Sequence, residues 1–388
     1  MRFGLRRAPA PLLPVLLIVQ CHSETSLDWV LDSESLEPAT ALLQSSVEAD
    51  AFPGAVLAVG LRDTVEFVAV GHYGDDDSRQ VDDSTVYDLA SLTKIIGLTT
   101  AVMLLVADGA IDLDAPVHGY LPAFAGPGKE DVTVRHLLTH TAGLEAWRPL
   151  HLETETKDEA IDSVMAATLQ SVPGERYLYS DFGAITLGLI VEKVSGKSLD
   201  VFLNDRVFRP LGMEWTRYRP PSEWIDRITP TELDPWREGV VRGEVHDENA
   251  ARLEGVAGHA GLFSIAPDVA KFARWMLDAY HGRLSAESQP FLPADLVQAF
   301  ASRQPEPEGS TRALGWDTPS ETGSSAGTMM SRTSFGHTGF TGTSVWIDPE
   351  AELFVILLTN RVHPSRENRA ILGIRGQVSD SVVVGVSR

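Results

Sequence analysis

The stretch SLTKIIGLTTAVMLLVA, residues 91–107, decides how this chain is read. After Lys94 only Thr99 and Thr100 interrupt its apolar character, and Gly109 follows where a helix C-cap falls. The pattern predicts a helix that is apolar nearly all round and must lie inside the protein. At its start Ser91 and Lys94 stand at i and i+3, on one helical face. A serine hydroxyl is a weak nucleophile and needs a base within hydrogen-bond reach. Burial disfavours the charged form of a lysine beside it. A serine opening a helix also keeps its own N–H free to help form an oxyanion hole. The chain has six lysines, at 94, 129, 157, 193, 197 and 271, and only Lys94 has serine at i−3. The plainer alternative makes Ser91 an N-cap and Lys94 a surface residue.

Working outward, residues 54–60 (GAVLAVG) and 64–71 (TVEFVAVG) are β-rich runs joined at 61–63, an antiparallel hairpin. Helical patterns follow at 134–138, 158–171, 182–194 and 199–207, with a turn at Pro173-Gly174-Glu175-Arg176 and a further helix at 269–280. Near the end, 343–347 and 353–358 are β-rich and flank the turn signal Asp348-Pro349-Glu350-Ala351. A last helix is expected from about Arg366 into the 370s. The order predicts an α+β fold: an antiparallel sheet built from both chain ends and flanked by helices, with an all-helical lobe inserted. The expected boundaries are a sheet lobe at about 36–108 and 240–376, a helical lobe at about 109–239 and a C-terminal tail at 377–388.

The 388 residues carry a net charge of −22, and 43% are hydrophobic. This is enough apolar material for a full core. Such acidity argues against nucleic acid as a partner. The single cysteine, Cys21, excludes an intramolecular disulfide. Arg2, Arg6 and Arg7 precede a short apolar run at 12–19, broken by Pro14 and too short to span a membrane. With Ile18-Val19-Gln20-Cys21 after it, residues 1–21 resemble a bacterial lipoprotein signal, with Cys21 as lipid anchor. Plain secretion and a chance match are the alternatives. Residues 22–35 are polar and acidic, as a tether would be.

Two further triplets accompany Ser91 and Lys94. Tyr179-Ser180-Asp181 precedes an apolar helix, where a phenolate beside a cation can act as general base and then as general acid. An N-cap with a packed tyrosine explains it equally well. His337-Thr338-Gly339 precedes a strand whose backbone can pair with an extended substrate. There the N–H of Phe340 can complete the oxyanion hole, and Gly339 permits close backbone approach. Gly323-Ser324-Ser325-Ala326-Gly327 matches the nucleophile elbow G-x-S-x-G, but no apolar strand precedes it, so it is read as a loop. His136 and His140 at i, i+4 lack a third zinc ligand in the sequence. His246-Asp247-Glu248-Asn249 with His259 is read as a hydrogen-bonded loop near the cleft, with a metal site as the alternative.

S-x-x-K, Y-x-D and H-T-G occur in that order, 88 and then 158 residues apart. On these motifs the chain resembles the penicillin-recognising serine enzymes, in the branch of class C β-lactamases, related esterases and low-molecular-mass penicillin-binding peptidases. The segments 52–56, 88–90, 136–144, 256–262 and 336–342 share the likeness, which covers about residues 36–376. It implies the β-lactamase/transpeptidase-like fold, with the site between the lobes. It implies that Ser91 is acylated and that Lys94 and Tyr179 share the proton. Asp181 and Thr338 would face the substrate, and Ser91 and Phe340 would give the oxyanion N–H groups. Two positions depart from the family pattern: β-lactamases usually have Lys at the place of His337 and Asn at that of Asp181. A neutral His and an added carboxylate should disfavour anionic β-lactams by about 1–3 kcal/mol. The expected function is a serine hydrolase of the cell envelope, acting on esters or peptide-like amides through an acyl-enzyme on Ser91, with no cofactor and no metal. The alternatives are a D,D-peptidase on peptidoglycan stem peptides, a class C-like β-lactamase, or a muropeptide-binding module on an inactive scaffold.

Overall fold

The computed structural model describes Met1 and residues 29–74, 76–285 and 287–387. Residues 2–21, with Cys21 among them, lie outside these. Six strands form the main antiparallel sheet: β1 (Gly54–Leu61), β2 (Thr64–Gly74), β3 (Asp77–Gln80), β9 (Phe335–Thr338), β10 (Ser344–Asp348) and β11 (Leu353–Thr359), in the order β3-β2-β1-β11-β10-β9. All eight residues of β1 are buried. A strand covered on both faces needs no polar alternation, which is why its sequence is an unbroken apolar run. β1 pairs with β11 from Ala55↔Thr359 to Leu61↔Leu353, so the two chain ends share the centre of the sheet. On one face, Leu57, Val59, Val355 and Leu357 meet Leu43, Val378 and Val382 of the helices Glu37–Glu48 and Ile371–Val386, with Leu36 just before the first. On the other, Val56, Ala58, Ile356 and Leu358 face the inserted segment and the helix Ala266–Tyr280.

The expected helix at 91–107 is built in three parts. A 3-10 turn, Ala90–Leu92, leads into π turns at Lys94–Thr99, and a regular α-helix runs only from Thr100–Ala107. Thr100 Oγ1 donates to Ile95 O at 2.9 Å, an i−5 bond that suits the wide turn. Gly109, at φ 70°, closes the helix as its sequence predicts. Among the described residues, Ala90–Ala107 is apolar and long enough to cross a membrane, but 83% of it is buried inside the protein. It is a core element.

Between 109 and 239 the helices Val134–Leu138, Lys157–Ala166, Asp181–Ser195 and Leu199–Leu203 form as the patterns suggest, with the second ending earlier than expected. This segment also holds three two-residue strands. β5 (Arg217–Tyr218) and β4 (Tyr87–Asp88) pair with β8 (Leu262–Ser264), and β6 (Leu233–Asp234) pairs with β7 (Gly239–Val240). Two residues carry no readable period, so these strands left no mark in the pattern.

Both expected ends need correction. Residues 377–386 are no tail: the last helix continues to Val386, burying Val378, Val382, Val383 and Val386 against the sheet. It begins at Ile371, later than the expected 366. The expected tether at 22–35 is part of the fold from Trp29 onward. Trp29 bridges to Ser387, Val30 N donates to Val386 O at 2.9 Å, and Ser35 and Leu36 are buried.

Candidate active site

The turn that presents Ser91 is clamped from behind. Ala90 adopts φ 46°, a left-handed conformation that strains a side-chain-bearing residue. The buried carboxylate of Asp88 secures it, accepting from the N–H of Ala90 at 2.8 Å and from that of His246 at 2.7 Å. Burial pushes the Asp88 pKa up against these two donors. Thr341 Oγ1 donates to Asp88 O at 2.7 Å and Thr343 Oγ1 to Leu89 O at 3.0 Å. These bonds lock the turn between β9 and β10 against the nucleophile turn. Gly339 sits at the contact, where a Cβ would stand 2.1 Å from Thr343 Oγ1 and 2.5 Å from Leu89 O. The requirement for glycine there is set from inside the protein, whereas the sequence reading ascribed it to the approach of substrate.

Lys94 is buried, and its ammonium meets three acceptors. Nζ lies 3.1 Å from Ser91 Oγ, 3.0 Å from His259 O and 2.8 Å from Asp181 Oδ1. Burial lowers the lysine pKa, but Asp181 and then Tyr179 together outweigh it, and the pKa ends above the usual lysine value. The sequence foresaw both effects; the structure shows that the carboxylate prevails. Lys94 is therefore held as a cation 4.9 Å from the centre of the Tyr179 ring.

Tyr179 is fixed by its neighbours. Ser180 caps the helix Asp181–Ser195: its Oγ accepts from Gly183 N at 3.1 Å and donates to Glu145 O at 2.5 Å. The Tyr179 ring lies against His140 at 4.5 Å between centroids and 5.9 Å from His337. His140 Nδ1 accepts from Ser180 N at 3.1 Å, and His136 Nδ1 accepts from Thr133 N at 3.2 Å. Both histidines thus serve the local backbone. Nearby, His246 bonds Glu232 and His259 bonds Asp247, each at 2.9 Å. Among the described residues no three His, Cys, Asp or Glu side chains converge where an ion could sit. Gly323–Gly327 is a loop, tied at the following Thr328 N to Asp380 of the last helix, and not a strand-to-helix elbow.

His337 is buried, with Nδ1 2.8 Å from Thr338 O and Nε2 without a hydrogen-bond partner. Burial, then Arg312 and Lys94, push its pKa far below the ordinary histidine value, and His140 is lowered in the same way. A neutral His337 donating from Nδ1 to the carbonyl leaves Nε2 as a bare acceptor.

The motifs open onto a cleft of about 540 Å³ lined by Ser91, Tyr179, His337, Thr338, Gly339 and Phe340. Phe340 is exposed, flanked by the His246 ring at 5.7 Å and the Arg361 guanidinium at 4.4 Å. A larger cavity of about 650 Å³, lined by His72 and His363 among others, holds none of the motif residues. The cleft also shows what sequence reasoning missed. Arg312, Arg361, Arg366, Arg369 and Arg375 all line it. Arg312 lies 5.3 Å from the centre of the Tyr179 ring, donates from Nε to the Tyr177 hydroxyl at 3.1 Å, and keeps Nη1 buried without a partner. Beside the neutral His337, Arg312 thus brings a cation into the cleft from another loop. No spacing marked it among the many arginines.

Residues 39–377 match the family model described as Beta-lactamase. The chain is 34% identical over 312 residues to an N-acetylmuramyl-L-alanine amidase of Bacillus subtilis (strain 168), covering 72% of this chain and 68% of that one. It is 32% identical over 309 residues to a protein of Escherichia coli (strain K12) described as "Putative D-alanyl-D-alanine carboxypeptidase", covering 72% and 70%. The fold is that of a class C β-lactamase from Rhodobacter sphaeroides, with a TM-score of 0.69 at 21% identity, covering 89% of this chain and 98% of that one. With the family model spanning most of its length, the chain belongs to the beta-lactamase family of serine hydrolases.

Proposed function

We propose that this enzyme hydrolyses an amide bond in a carboxylate-bearing, peptidoglycan-derived peptide through an acyl-enzyme on Ser91. The observation that carries the reading is the 3.1 Å contact between Lys94 Nζ and Ser91 Oγ in a cleft lined by arginines. In a chain of net charge −22, a cationic cleft favours an anionic substrate over the bulk surface. The named relatives support a cell-wall amide as the bond.

Lys94, kept charged by Asp181, is a poor acceptor for the serine proton. Tyr179, in its phenolate form, takes it; Lys94 and Arg312 lie 4.9 and 5.3 Å from the centre of its ring. Ser91 Oγ then bonds to the carbonyl carbon, and the carbonyl oxygen becomes an oxyanion held by the N–H groups of Ser91 and Phe340. Collapse breaks the C–N bond, and the leaving amine takes the proton from Tyr179. Water repeats the sequence on the ester, giving its proton to Tyr179, and free Ser91 and a carboxylic acid result.

The test uses intact-protein mass and product analysis for wild type and Ser91→Ala with three compounds: an N-acetylmuramyl peptide, a peptide ending in D-Ala-D-Ala, and a penicillin. Ser91-dependent release of the peptide from the muramyl group supports an amidase; release of D-alanine supports a carboxypeptidase. Turnover that survives Ser91→Ala overturns the mechanism, and fast penicillin hydrolysis with neither peptide cleaved overturns the substrate class. The same reading takes the enzyme to be exported and held at the cell envelope by Cys21. A mature mass starting at Cys21 with added lipid supports that; an intact 1–21 segment overturns it.

A further inference from the structure

Arg375, on the last helix, is buried beneath the turn between β9 and β10. Its Nη2 donates to Gly339 O at 2.5 Å and to Thr343 O at 3.0 Å, while Nε has no hydrogen-bond partner among the described residues. Among the described residues the charge that acts on it is another cation, Arg361, and no carboxylate offsets it. Burying an uncompensated cation opposes folding, and carbonyl oxygens relieve that only in part. A backbone clamp alone could be made by a neutral donor.

The identity of the carbonyl supplies the reason. Gly339 C=O and Phe340 N–H belong to one peptide unit. Gly339 O accepts from Arg375 and from Gly342 N at 3.1 Å, so both of its lone pairs are engaged. A cation on the oxygen of an amide draws electron density from its nitrogen and makes the N–H a stronger donor. Arg361 differs: its Nε donates at 2.8 Å to Phe340 O, which lies in the next peptide unit and leaves the Phe340 N–H untouched.

We propose that Arg375 is a positioning residue for the hydrolysis, polarising the Gly339–Phe340 peptide so that the Phe340 N–H binds the oxyanion more strongly. The inference rests on the reading of Ser91 as nucleophile and Phe340 as oxyanion donor. Its geometry adds a fixed positive charge behind the oxyanion hole, where preorganised donors act most strongly.

The experiment uses p-nitrophenyl acetate labelled with 13C at the carbonyl. This substrate has no carboxylate, so charge recognition in the cleft is taken out of the readout. The rate of acetylation of Ser91 and the infrared band of the acetyl-enzyme carbonyl are measured for wild type, Arg375→Met and Arg375→Lys. Arg375→Met should acylate about tenfold or more slowly, with KM changed by no more than about twofold. Its carbonyl band should move to higher wavenumber as the hydrogen bond weakens. Arg375→Lys, which keeps a cation there, should recover part of both. If Arg375→Met does not fold, Arg375→Gln, which keeps an N–H but no charge, takes its place and should fall below Arg375→Lys. An unmoved band with a wild-type rate overturns the inference, as does a lysine variant no better than the neutral one. A rise in KM alone also overturns it, because that would mean direct contact with substrate. A wild-type enzyme that forms no adduct on Ser91 overturns both this inference and the reading beneath it.

Discussion

The two walls of the cleft treat charge in opposite ways. On the wall that carries Ser91, the acidic groups have partners at hand: Lys94 faces Asp181 at 2.8 Å, Asp247 bonds His259 at 2.9 Å, and the buried Asp88 accepts from two backbone N–H groups. On the wall formed by the turn between β9 and β10, Arg361 and Arg375 spend their hydrogen bonds on carbonyls of residues 339, 340, 343, 366 and 368. Among the described residues Arg312 finds its opposite charge in Asp317, at 3.7 Å. The first wall is balanced, so protons can move across it without stranding a charge in a poorly solvated place. In the second, Arg366 is paired with Glu232 and Glu248, but Arg361 and Arg375 rest on carbonyls and leave an excess of positive charge where the proposed mechanism places the oxyanion and a substrate carboxylate.

The strongest way to break this contrast is to unbalance the first wall. Lys94→Met should lower kcat by about 10³-fold, within the range for a positioned acid–base group. It also leaves the half-buried Asp181 without its partner, so unfolding free energy should fall by about 3 kcal/mol, less if Asp181 finds solvent. The double variant Lys94→Met, Asp181→Asn should regain most of that stability and none of the activity. Urea unfolding and steady-state rates on the three variants measure this. Stability unchanged in Lys94→Met would show that the pair is not coupled.

Asp181→Asn alone sharpens the point. It keeps the shape of the site and removes the charge that outweighs the effect of burial on Lys94. The Lys94 pKa should then drop, and the alkaline limb of the pH–rate profile should move to lower pH, with kcat at pH 7 down by about tenfold. A profile identical to wild type would show that Asp181 does not set the state of Lys94.

How far sequence reading reached follows the same division. The first wall was legible because its chemistry is local. Ser91 and Lys94 lie one helical turn apart, and Ser180 caps the helix that Asp181 begins. The sheet was legible for a similar reason, since β1 and β11 are unbroken apolar runs. The second wall was not. Arg312 reaches Tyr179 across 133 residues of chain, in a loop with no periodic pattern. Arg375 lies on a helix whose extent was underestimated. The Val378, Val382 and Val386 spacing that extends it was there to be read. The 3-10 turn at Ser91 is clamped by Thr341 and Thr343 and by the bond from His246 N to Asp88, partners distant in the chain that no window around residue 91 contains.

On the positive wall, Arg312→Ala tests whether the excess charge selects substrate. Losing one charge-assisted contact should raise KM for a carboxylate-bearing peptide by about tenfold or more, and leave KM for a neutral ester within about twofold. Equal losses on both substrates would assign Arg312 to the support of Tyr179 instead.

The smallest effect probes how the unbalanced wall limits its neighbours. His140 and His337 are pushed well below the ordinary value of 6.5 by burial first and by Arg312 and Lys94 next. In the unfolded chain both regain that ordinary value. Below about pH 6.5, then, the unfolded state binds protons that the native state refuses, and stability must fall as the pH falls. Each histidine contributes at most about 1.4 kcal/mol per pH unit over this window. The Asp247 carboxylate, whose pKa is lowered below 3.8, holds its contribution throughout and loses it only at more acid pH, so it does not confuse the slope. Urea unfolding at pH 7.5 and pH 5.5 should show the native state weaker at the lower pH. Arg312→Ala should flatten the decline, because the histidines then protonate more readily in the folded protein. A decline of the same steepness in that variant would mean that burial alone holds the histidines neutral, and that the charge of the second wall does not reach them.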